Sequence, residues 1–167
     1  MAIVEEGGFA GDTPTDGLHM EHLLEDRMWV SLPADHPLAT RRAIDLADLR
    51  DEDWMLACLS GTCADSNVVL RACREAGFQP RIAYTSDDYF AIQGLVASGM
   101  GVALIPGLGL ASTRDDVAVR PVRGRPPHRR VAAVTADEAR GGAIPTMLEC
   151  LREAGAVYAE SGLAAAA

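Results

Sequence analysis

The sequence predicts an α/β fold in which a mostly parallel sheet is flanked by helices. Two continuous apolar runs of strand length, WMLACL at 54–59 and GVALIP at 101–106, are typical of strands buried on both faces. Segments with helical spacing of apolar residues alternate with the predicted strands, which favours right-handed crossovers between parallel strands. The 167 residues, 49% of them hydrophobic, suffice for one domain or two small lobes with a buried core.

Three predicted elements precede the first apolar run. The segments MAIVEE at 1–6 and RMWVSLP at 27–33 have the apolar and β-branched content of strands, and a Gly- and Asp-rich loop at 7–17 separates them. Residues 44–49 form a short predicted helical piece, with Asp45 or an earlier residue as its cap.

A longer helix is predicted after the first apolar run, over residues 63–76, where apolar side chains recur at spacings of three and four. Gly77 follows as a left-handed C-terminal cap, and Phe78 can fold back onto the last turn. Ser86 and Asp87 are suitable N-caps for the next helix. The remaining predicted elements are strands at 81–85, 101–106, 117–122 and 130–135, and helices at 88–98 and from Pro145 onward.

The charge balance argues against a nucleic-acid partner for this chain. It contains 15 basic and 24 acidic residues, a net charge of −9, whereas binding to a phosphate backbone depends on Lys and Arg. One basic run, RPVRGRPPHRR at 120–130, is short and Pro-rich. A solvated loop is the preferred interpretation of this run over a phosphate site.

The four cysteines, Cys58, Cys63, Cys73 and Cys150, include no pair at C-x-x-C spacing, so they predict neither a zinc site nor a redox pair. Cys73 and Cys150 fall on apolar faces of predicted helices, where cysteine acts as a small hydrophobe. The N-terminal residues lack the segments of a signal peptide, and no apolar run is long enough for a bilayer. These features favour a soluble cytoplasmic protein with no membrane partner and no cofactor.

Two longer segments and several shorter ones carry a family resemblance. LPADHPLA at 32–39 and GLVASGMGVALIP at 94–106 are the most specific, and CREAGFQPRI at 73–82 and VRPV at 119–122 lie at matching intervals. Together they resemble the effector-binding domain of LysR-type transcriptional regulators, over about residues 1–151. The resemblance implies a periplasmic-binding-protein-like fold of type 2, with two α/β lobes and a small effector in the cleft between them.

The resemblance also implies a domain organisation. Residues 1–26 would end the first lobe and cross over, 27–136 would form the second lobe, and 137–167 would return to the first lobe as a C-terminal helix with a frayed tail. The family's DNA-binding winged helix-turn-helix has no counterpart here, and the first part of the sensing domain is missing. Half of the cleft is therefore expected to be absent, and effector binding by this chain to be weak.

The predicted effector-binding residues follow three strands. Ser60, Gly61 and Thr62 lie between a buried strand and a helix N-terminus, where ligands of open α/β sheets bind and where free N–H groups attract anions. The alternative for these residues is an ordinary N-cap. The other candidates are Asp87 and Tyr89, which could instead be a cap and a core residue, and Pro106 with Gly107, a hinge or merely a turn.

The resemblance further implies a homo-oligomer in which sensing domains pair through a helix and an edge strand. In the second lobe the implied dimer-interface residues are Val68, Arg71, Ala72, Glu75, Arg81, Ile82 and Tyr84. The alternative is an ordinary solvent-facing helix and strand. A metal site at His19, Glu21, His22 and Glu25 is disfavoured, because the spacing is common by chance and no further ligand is identified.

Three functions are consistent with these features. The preferred one is the effector-sensing regulatory domain of a LysR-type regulator, which is not an enzyme and binds a small, anionic molecule. A stand-alone solute-binding-like protein is the first alternative, although it would need a signal peptide. A small enzyme using Cys63 or Ser60 as nucleophile is the second, and it lacks an identifiable base.

Overall fold

A computed structural model describes residues 1–5, 17–57, 64–136 and 141–161 of the chain. The chain divides into two compact units. One consists of residues 1–26 together with 129–167, and the other of residues 27–128. No helix in the described part of the chain is both long and apolar enough to cross a membrane.

In its described residues, the unit formed by 1–26 and 129–167 contains three strands and one helix. Its elements are β1 (Ala2–Glu5), the first half of β2 (Leu18–Pro33), β7 (His128–Ala136) and the helix α3 (Ile144–Glu160). β1 pairs antiparallel with β7, with Val4 opposite Ala132, and β7 lies between β1 and β2 in the strand order. The strand β7 carries most of the buried apolar side chains of this unit.

The helix α3 packs through fewer side chains than its sequence pattern predicts. Gly155 is its one buried residue, and a Cβ there would lie 2.8 Å from the carbonyl oxygen of Leu23, so the helix approaches β2 closely. Met147, expected on the apolar face, is 48% exposed. Cys150 was also predicted on the apolar face of this helix, and it is exposed. It falls between Leu148 and Leu151, which are partly buried, and points away from the side that they share.

The unit of residues 27–128 is a five-stranded sheet with two helices and two 3-10 helices. Its remaining elements are β3 (Asp53–Leu56), α1 (Ala64–Glu75), β4 (Arg81–Thr85), α2 (Tyr89–Ala97), β5 (Val102–Pro106) and β6 (Val117–Pro121), with 3-10 helices at Leu46–Leu49 and Gly107–Leu110. β3 runs parallel to β4 and to β5, whereas β2 runs antiparallel to β5 and β6. The α/β class is therefore confirmed.

The expectation of a mostly parallel sheet was wrong, because the sheet is mixed. β3 pairs in parallel with β4 and β5, whereas the pairs β1–β7, β2–β5 and β2–β6 are antiparallel. A parallel pair needs a crossover of a dozen or more residues, which α1 and α2 supply between β3, β4 and β5. The chain passes from β5 to β6 through only the short 3-10 helix Gly107–Leu110 and a turn, and β6 then pairs with β2 instead.

The core of this unit lies between the sheet and α1. Trp54 is fully buried, and its indole N–H donates to the carbonyl oxygen of Leu49 at 3.1 Å. Phe78, three positions after the end of α1, folds back towards the core, and its ring lies 5.9 Å from the Trp54 ring. Gly77 has φ of +85°, and the Phe78 N–H donates to Cys73 at 3.1 Å, which confirms the predicted left-handed cap.

The helix α2 begins one residue later than its predicted caps suggest. Asp88 is the N-cap, and its carboxylate accepts from the N–H of Phe90 at 2.8 Å. Ser86 and Asp87 were predicted for this role. Ser86 instead accepts from the Asp88 N–H at 3.2 Å and so supports the capping residue from outside the helix.

Two predicted boundaries also differ. β2 extends from Leu18 to Pro33, whereas only 27–33 was predicted, because the polar residues between Leu18 and Asp26 do not alternate cleanly with apolar ones. The predicted second lobe, 27–136, extends beyond the compact unit, which ends at His128. The reason is that the rest of β7 pairs with β1 in the other unit.

The LPADHPLA segment forms a compact turn after β2. The ring of His36 accepts from the Leu38 N–H at 3.1 Å through Nδ1, and its Nε2 lies 3.3 Å from a carboxylate oxygen of Glu52. The His36 N–H donates to Pro33 at 3.0 Å. These contacts give His36 a structural role in the turn.

Candidate functional site

The parallel strands β5, β3 and β4 are neighbours in the sheet, so their carboxyl ends meet at one edge. β3 ends at Leu56, β4 at Thr85 and β5 at Pro106. The N–H of Ser86 donates to the carbonyl oxygen of Leu56 at 3.1 Å, which ties the loop after β4 to the end of β3. The segments that follow the three strands are thus candidates to form one site.

The strongest sequence candidates, Ser60, Gly61 and Thr62, lie outside the described residues, as does Cys63. The residues that flank them are held in place. The Ser66 hydroxyl donates to the carbonyl oxygen of Ala57 at 2.5 Å, which joins the first turn of α1 to the end of the preceding segment. Asp65, also in that turn, is buried.

Tyr89 connects the beginnings of α1 and α2. Its hydroxyl donates to the carboxylate of Asp65, across 24 positions of sequence. Its ring is so close to Gly109 that a Cβ there would lie 3.0 Å from it. The ring is therefore fixed between α1 on one side and the 3-10 helix Gly107–Leu110 on the other.

A cavity of about 400 Å³ lies between the start of α2 and the segment after β5. Phe90 and Leu108 give its rim apolar character, since they are 55% and 42% exposed. Pockets of this volume with apolar walls and a few polar groups are typical small-molecule sites. The lining residues are Asp87, Asp88, Tyr89, Phe90, Gln93, Leu108, Gly109, Ala111 and Ser112.

Gln93 holds the two walls of this cavity together. The side chain is 1% exposed. Its amide nitrogen donates to Gly109 at 3.4 Å, and its amide oxygen accepts from the Arg114 N–H at 3.0 Å. The Arg114 guanidinium lies 5.7 Å from the centre of the Phe90 ring and pairs with Asp116 at 2.8 Å. The sequence signal for Gln93, a lone polar residue in the apolar stretch of α2, was missed.

The four described effector candidates fall into two groups. Asp87 and Tyr89 line the cavity, whereas Pro106 and Gly107 are buried and do not. Pro106 is opposite Met28 in the sheet, and Gly107 begins the 3-10 helix that carries Leu108 and Gly109. Pro106 and Gly107 thus position the cavity wall, and their role as a hinge stays a prediction.

The charge of the cavity differs from expectation. Its described lining contains two carboxylates, Asp87 and Asp88, and no basic side chain. The Asp88 carboxylate is occupied as the cap of α2. Within the described residues, this cavity therefore favours neutral or apolar groups, and an anionic group would depend on the segment that precedes α1.

The predicted interface residues occupy different environments. Val68 and Ala72 are 8% and 7% exposed and pack into the core of this chain, because the apolar stripe of α1 faces the sheet. Arg71 and Glu75 are exposed. The place of these four residues in a dimer interface stays a prediction. The other three, Arg81, Ile82 and Tyr84, lie on β4, the last strand of the sheet order.

Among the described residues, no group of three His, Cys, Asp or Glu side chains could hold a metal ion. β2 is extended through His19, Glu21 and His22, so His22 lies on the opposite face from the other two. Glu21 pairs with Arg152 at 2.8 Å, and this hydrogen bond lowers the pKa of the Glu21 carboxyl.

The chain matches the family described as "LysR substrate binding domain" over residues 7–156. It is 36% identical to the small neutral protease regulatory protein of Streptomyces coelicolor over 121 residues, which cover 72% of this chain and 36% of that protein. It is 32% identical to the transcriptional dual regulator GltC of Bacillus subtilis over 98 residues, or 59% of this chain and 32% of GltC. The chain thus spans about a third of the length of these curated relatives, which are transcription regulators.

Solved structures show the same fold. The effector-binding domain of BenM with its effector benzoate has a TM-score of 0.75 at 22% identity, covering 90% of this chain and 68% of that one. The C-terminal domain of a probable LysR family regulator from Rhodococcus sp. RHA1 has a TM-score of 0.68 at 24% identity, covering 92% and 72%. The predicted periplasmic-binding-protein-like fold class is confirmed by these similarities.

Proposed function

This chain belongs to the LysR substrate-binding domain family, and on that basis we propose that it senses a small-molecule effector at the carboxyl ends of β3, β4 and β5. The observation that carries the proposal is the cavity of about 400 Å³ beside Tyr89. Its walls are fixed by buried polar contacts before any ligand binds, which lowers the entropic cost of binding.

The effector would be a carboxylate with a compact apolar body. Phe90 and Leu108 offer apolar surface to that body, and Ser112 and Asp87 offer polar groups at the rim. The carboxylate would bind to N–H groups and hydroxyls of Ser60, Gly61 and Thr62, next to the N-terminus of α1.

The regulatory role requires partners outside this chain. We propose that DNA is contacted by another domain of the regulator, because the net charge of −9 opposes contact with a phosphate backbone. A second copy would pair with β4, where Arg81 and Tyr84 are exposed. The protein would work in the cytoplasm.

Neither alternative function is supported by a specific contact. An enzyme using Ser60 or Cys63 would need a neighbouring base. The carboxylate of Asp65, in the first turn of α1, accepts from the Tyr89 hydroxyl. A solute-binding protein would share the fold, but the curated relatives are regulators. We therefore propose a non-enzymatic sensor.

The proposal is tested by blocking the cavity. A panel of aromatic and aliphatic carboxylates is screened by thermal shift, and the best ligand is titrated by calorimetry. Ala111→Trp places a large ring in the cavity and should weaken binding by about tenfold or more, which is about 1.4 kcal/mol. Ala34→Trp makes the same change at an exposed turn and should leave affinity unchanged. Equal affinities for both variants would refute the site.

A further inference from the structure

A second concave surface lies within the unit of residues 27–128. It is a groove of about 580 Å³ beside α1, and it shares no lining residue with the cavity at Tyr89. Such a volume is within the range of small-molecule sites. The groove is lined by Asp45, Leu46, Val68, Arg71, Ala72, Glu75, Ala76, Val122, Arg123, Arg125, Pro126, Pro127 and His128.

One wall of the groove is the segment that joins β6 to β7, and it is held at both ends. The Arg123 N–H donates to Ile44 at 2.7 Å, and the carbonyl oxygen of Pro127 accepts from the Met28 N–H at 2.8 Å. Gly124 has φ of +81°, which makes the tight turn between these anchors, and the two consecutive prolines restrict the backbone further. The wall is therefore preformed, although the sequence suggested a solvated loop.

The other wall and the floor come from α1 and its neighbours. Arg71 and Glu75 project from α1 one turn apart, and both side chains are exposed. Leu46, Val68 and Val122 are buried beneath them and make the floor apolar. A ligand in this groove would thus meet charged groups at its edges and apolar surface below.

The basic side chains of the groove lack carboxylate partners. Among the described residues, no side-chain hydrogen bond or ion pair engages Arg71, Arg123, Arg125 or His128. Five arginines elsewhere do have one, and the pairs are Arg41 with Asp48, Arg81 with Asp53, Arg114 with Asp116, Arg129 with Asp26 and Arg152 with Glu21.

The carboxylates of the groove offset this charge only in part. Asp45 caps the 3-10 helix Leu46–Leu49, where it accepts from the Ala47 N–H at 3.1 Å. The lining has two acids, Asp45 and Glu75, against three arginines, which leaves a formal surplus of one positive charge. This surplus is opposite in sign to the net charge of the chain, −9.

We propose that this groove binds a small molecule that carries two or more oxyanion groups on a compact apolar frame. The chain has no lysine, and arginine forms bidentate hydrogen bonds to carboxylate and phosphate. Arg123 and Arg125 flank a fixed turn and Arg71 stands on the facing helix, so separate oxyanion groups of one ligand are held at once. The groove is a second ligand site, independent of the proposed effector cavity.

The test uses citrate and inorganic pyrophosphate as probes for the carboxylate and phosphate forms of this chemistry, with benzoate as a monoanion. Each is titrated into the full chain by calorimetry at low salt. The double variant Arg123→Ala/Arg125→Ala should weaken binding of citrate or pyrophosphate by about tenfold or more. The control Arg42→Ala/Arg74→Ala removes the same charge from exposed arginines outside the groove and should keep the affinity. Arg125→Gln alone serves as a milder second variant.

Amide chemical shifts give a second measurement on the unmutated chain. Shifts at Gly124 and Arg125 that saturate with citrate or pyrophosphate, with little change at Asp87 and Tyr89, are the expected result. Binding by citrate only would identify a polycarboxylate site, and binding by pyrophosphate only a phosphate site. Absence of saturable binding by both probes, equal loss in the control variant, or benzoate binding as tight as citrate would overturn the proposal.

Discussion

The two compact units bury their apolar side chains to different extents. In residues 27–128, Val30, Trp54 and Leu56 belong to a continuous core that joins the sheet to α1. In the other unit Ile3, Met20 and Val157 are exposed, Val157 by 70%. The difference indicates that hydrophobic burial stabilises the unit of residues 27–128. The unit of residues 1–26 and 129–167 depends on β7 and on polar contacts around Asp26 and Glu21.

The largest expected effect comes from truncating the core of residues 27–128. Leu56 is 1% exposed and Leu18 is 37% exposed, so the same substitution tests both units. Leu56→Ala should lower the free energy of unfolding by about 2–5 kcal/mol, because it leaves a cavity. Leu18→Ala should change it by less than about 0.5 kcal/mol. Chemical denaturation measures both, and similar losses for the two variants would contradict the comparison.

A smaller loss of stability is expected when the buried ion pair between Asp26 and Arg129 is broken, in the unit of residues 1–26 and 129–167. Asp26 is fully buried, lies 2.9 Å from the Arg129 guanidinium and accepts from the Tyr158 hydroxyl at 2.5 Å. Asp26→Asn removes the carboxylate charge that pairs with Arg129 and should cost about 2–3 kcal/mol. Asp35→Asn, at an exposed turn, is the matched control. If both variants unfolded alike, the ion pair would not stabilise this unit.

Alkaline pH should loosen α3 selectively. Burial first, and then the hydrogen bond to Asp26, raise the pKa of Tyr158 well above its ordinary value. A raised folded-state pKa means that the stabilisation is complete below the unfolded-state value of about 10 and declines as pH rises beyond it. Helical ellipticity should fall between about pH 10 and 12 in the unmutated chain. Tyr158→Phe should remove that part of the pH dependence, and an unchanged profile would show that Tyr158 is not responsible.

The smallest expected effect is a difference in thiol reactivity between the two units. Burial raises the pKa of the Cys73 thiol to about 12, and Cys73 lies in the core of residues 27–128. Cys150 is exposed on α3. Because the thiolate is the reactive form, a maleimide should label Cys150 rapidly and Cys73 only after unfolding. Peptide mapping by mass spectrometry distinguishes the sites, and early labelling of Cys73 would mean that its unit opens readily.

The sequence predicted the elements of residues 27–128 well because their signals are local. The runs around Trp54 and Ile105, and the cap at Gly77, depend on neighbours in sequence, and the structure places strands and a cap there. The family resemblance, confirmed by the match over 7–156, supplied the expected fold class.

Contacts between distant residues could not be predicted in this way. Tyr89 meets Asp65 across 24 positions, and a Cβ at Gly101 would lie 2.1 Å from the carbonyl oxygen of Asp53. The mixed sheet has the same origin, since the pairing of β6 with β2 brings together residues about 90 positions apart in sequence, which no local pattern encodes. The groove at Arg123 likewise depends on α1, far away in the chain.

Binding of a small carboxylate beside Tyr89 can be followed residue by residue in one titration. The isotopically labelled chain is titrated with the carboxylate selected by thermal shift, and amide chemical shifts are followed. Saturating changes are expected at Asp87, Tyr89, Leu108 and Ser112, which line the cavity. Saturating changes confined to other parts of the chain, or none with any carboxylate of the panel, would contradict it.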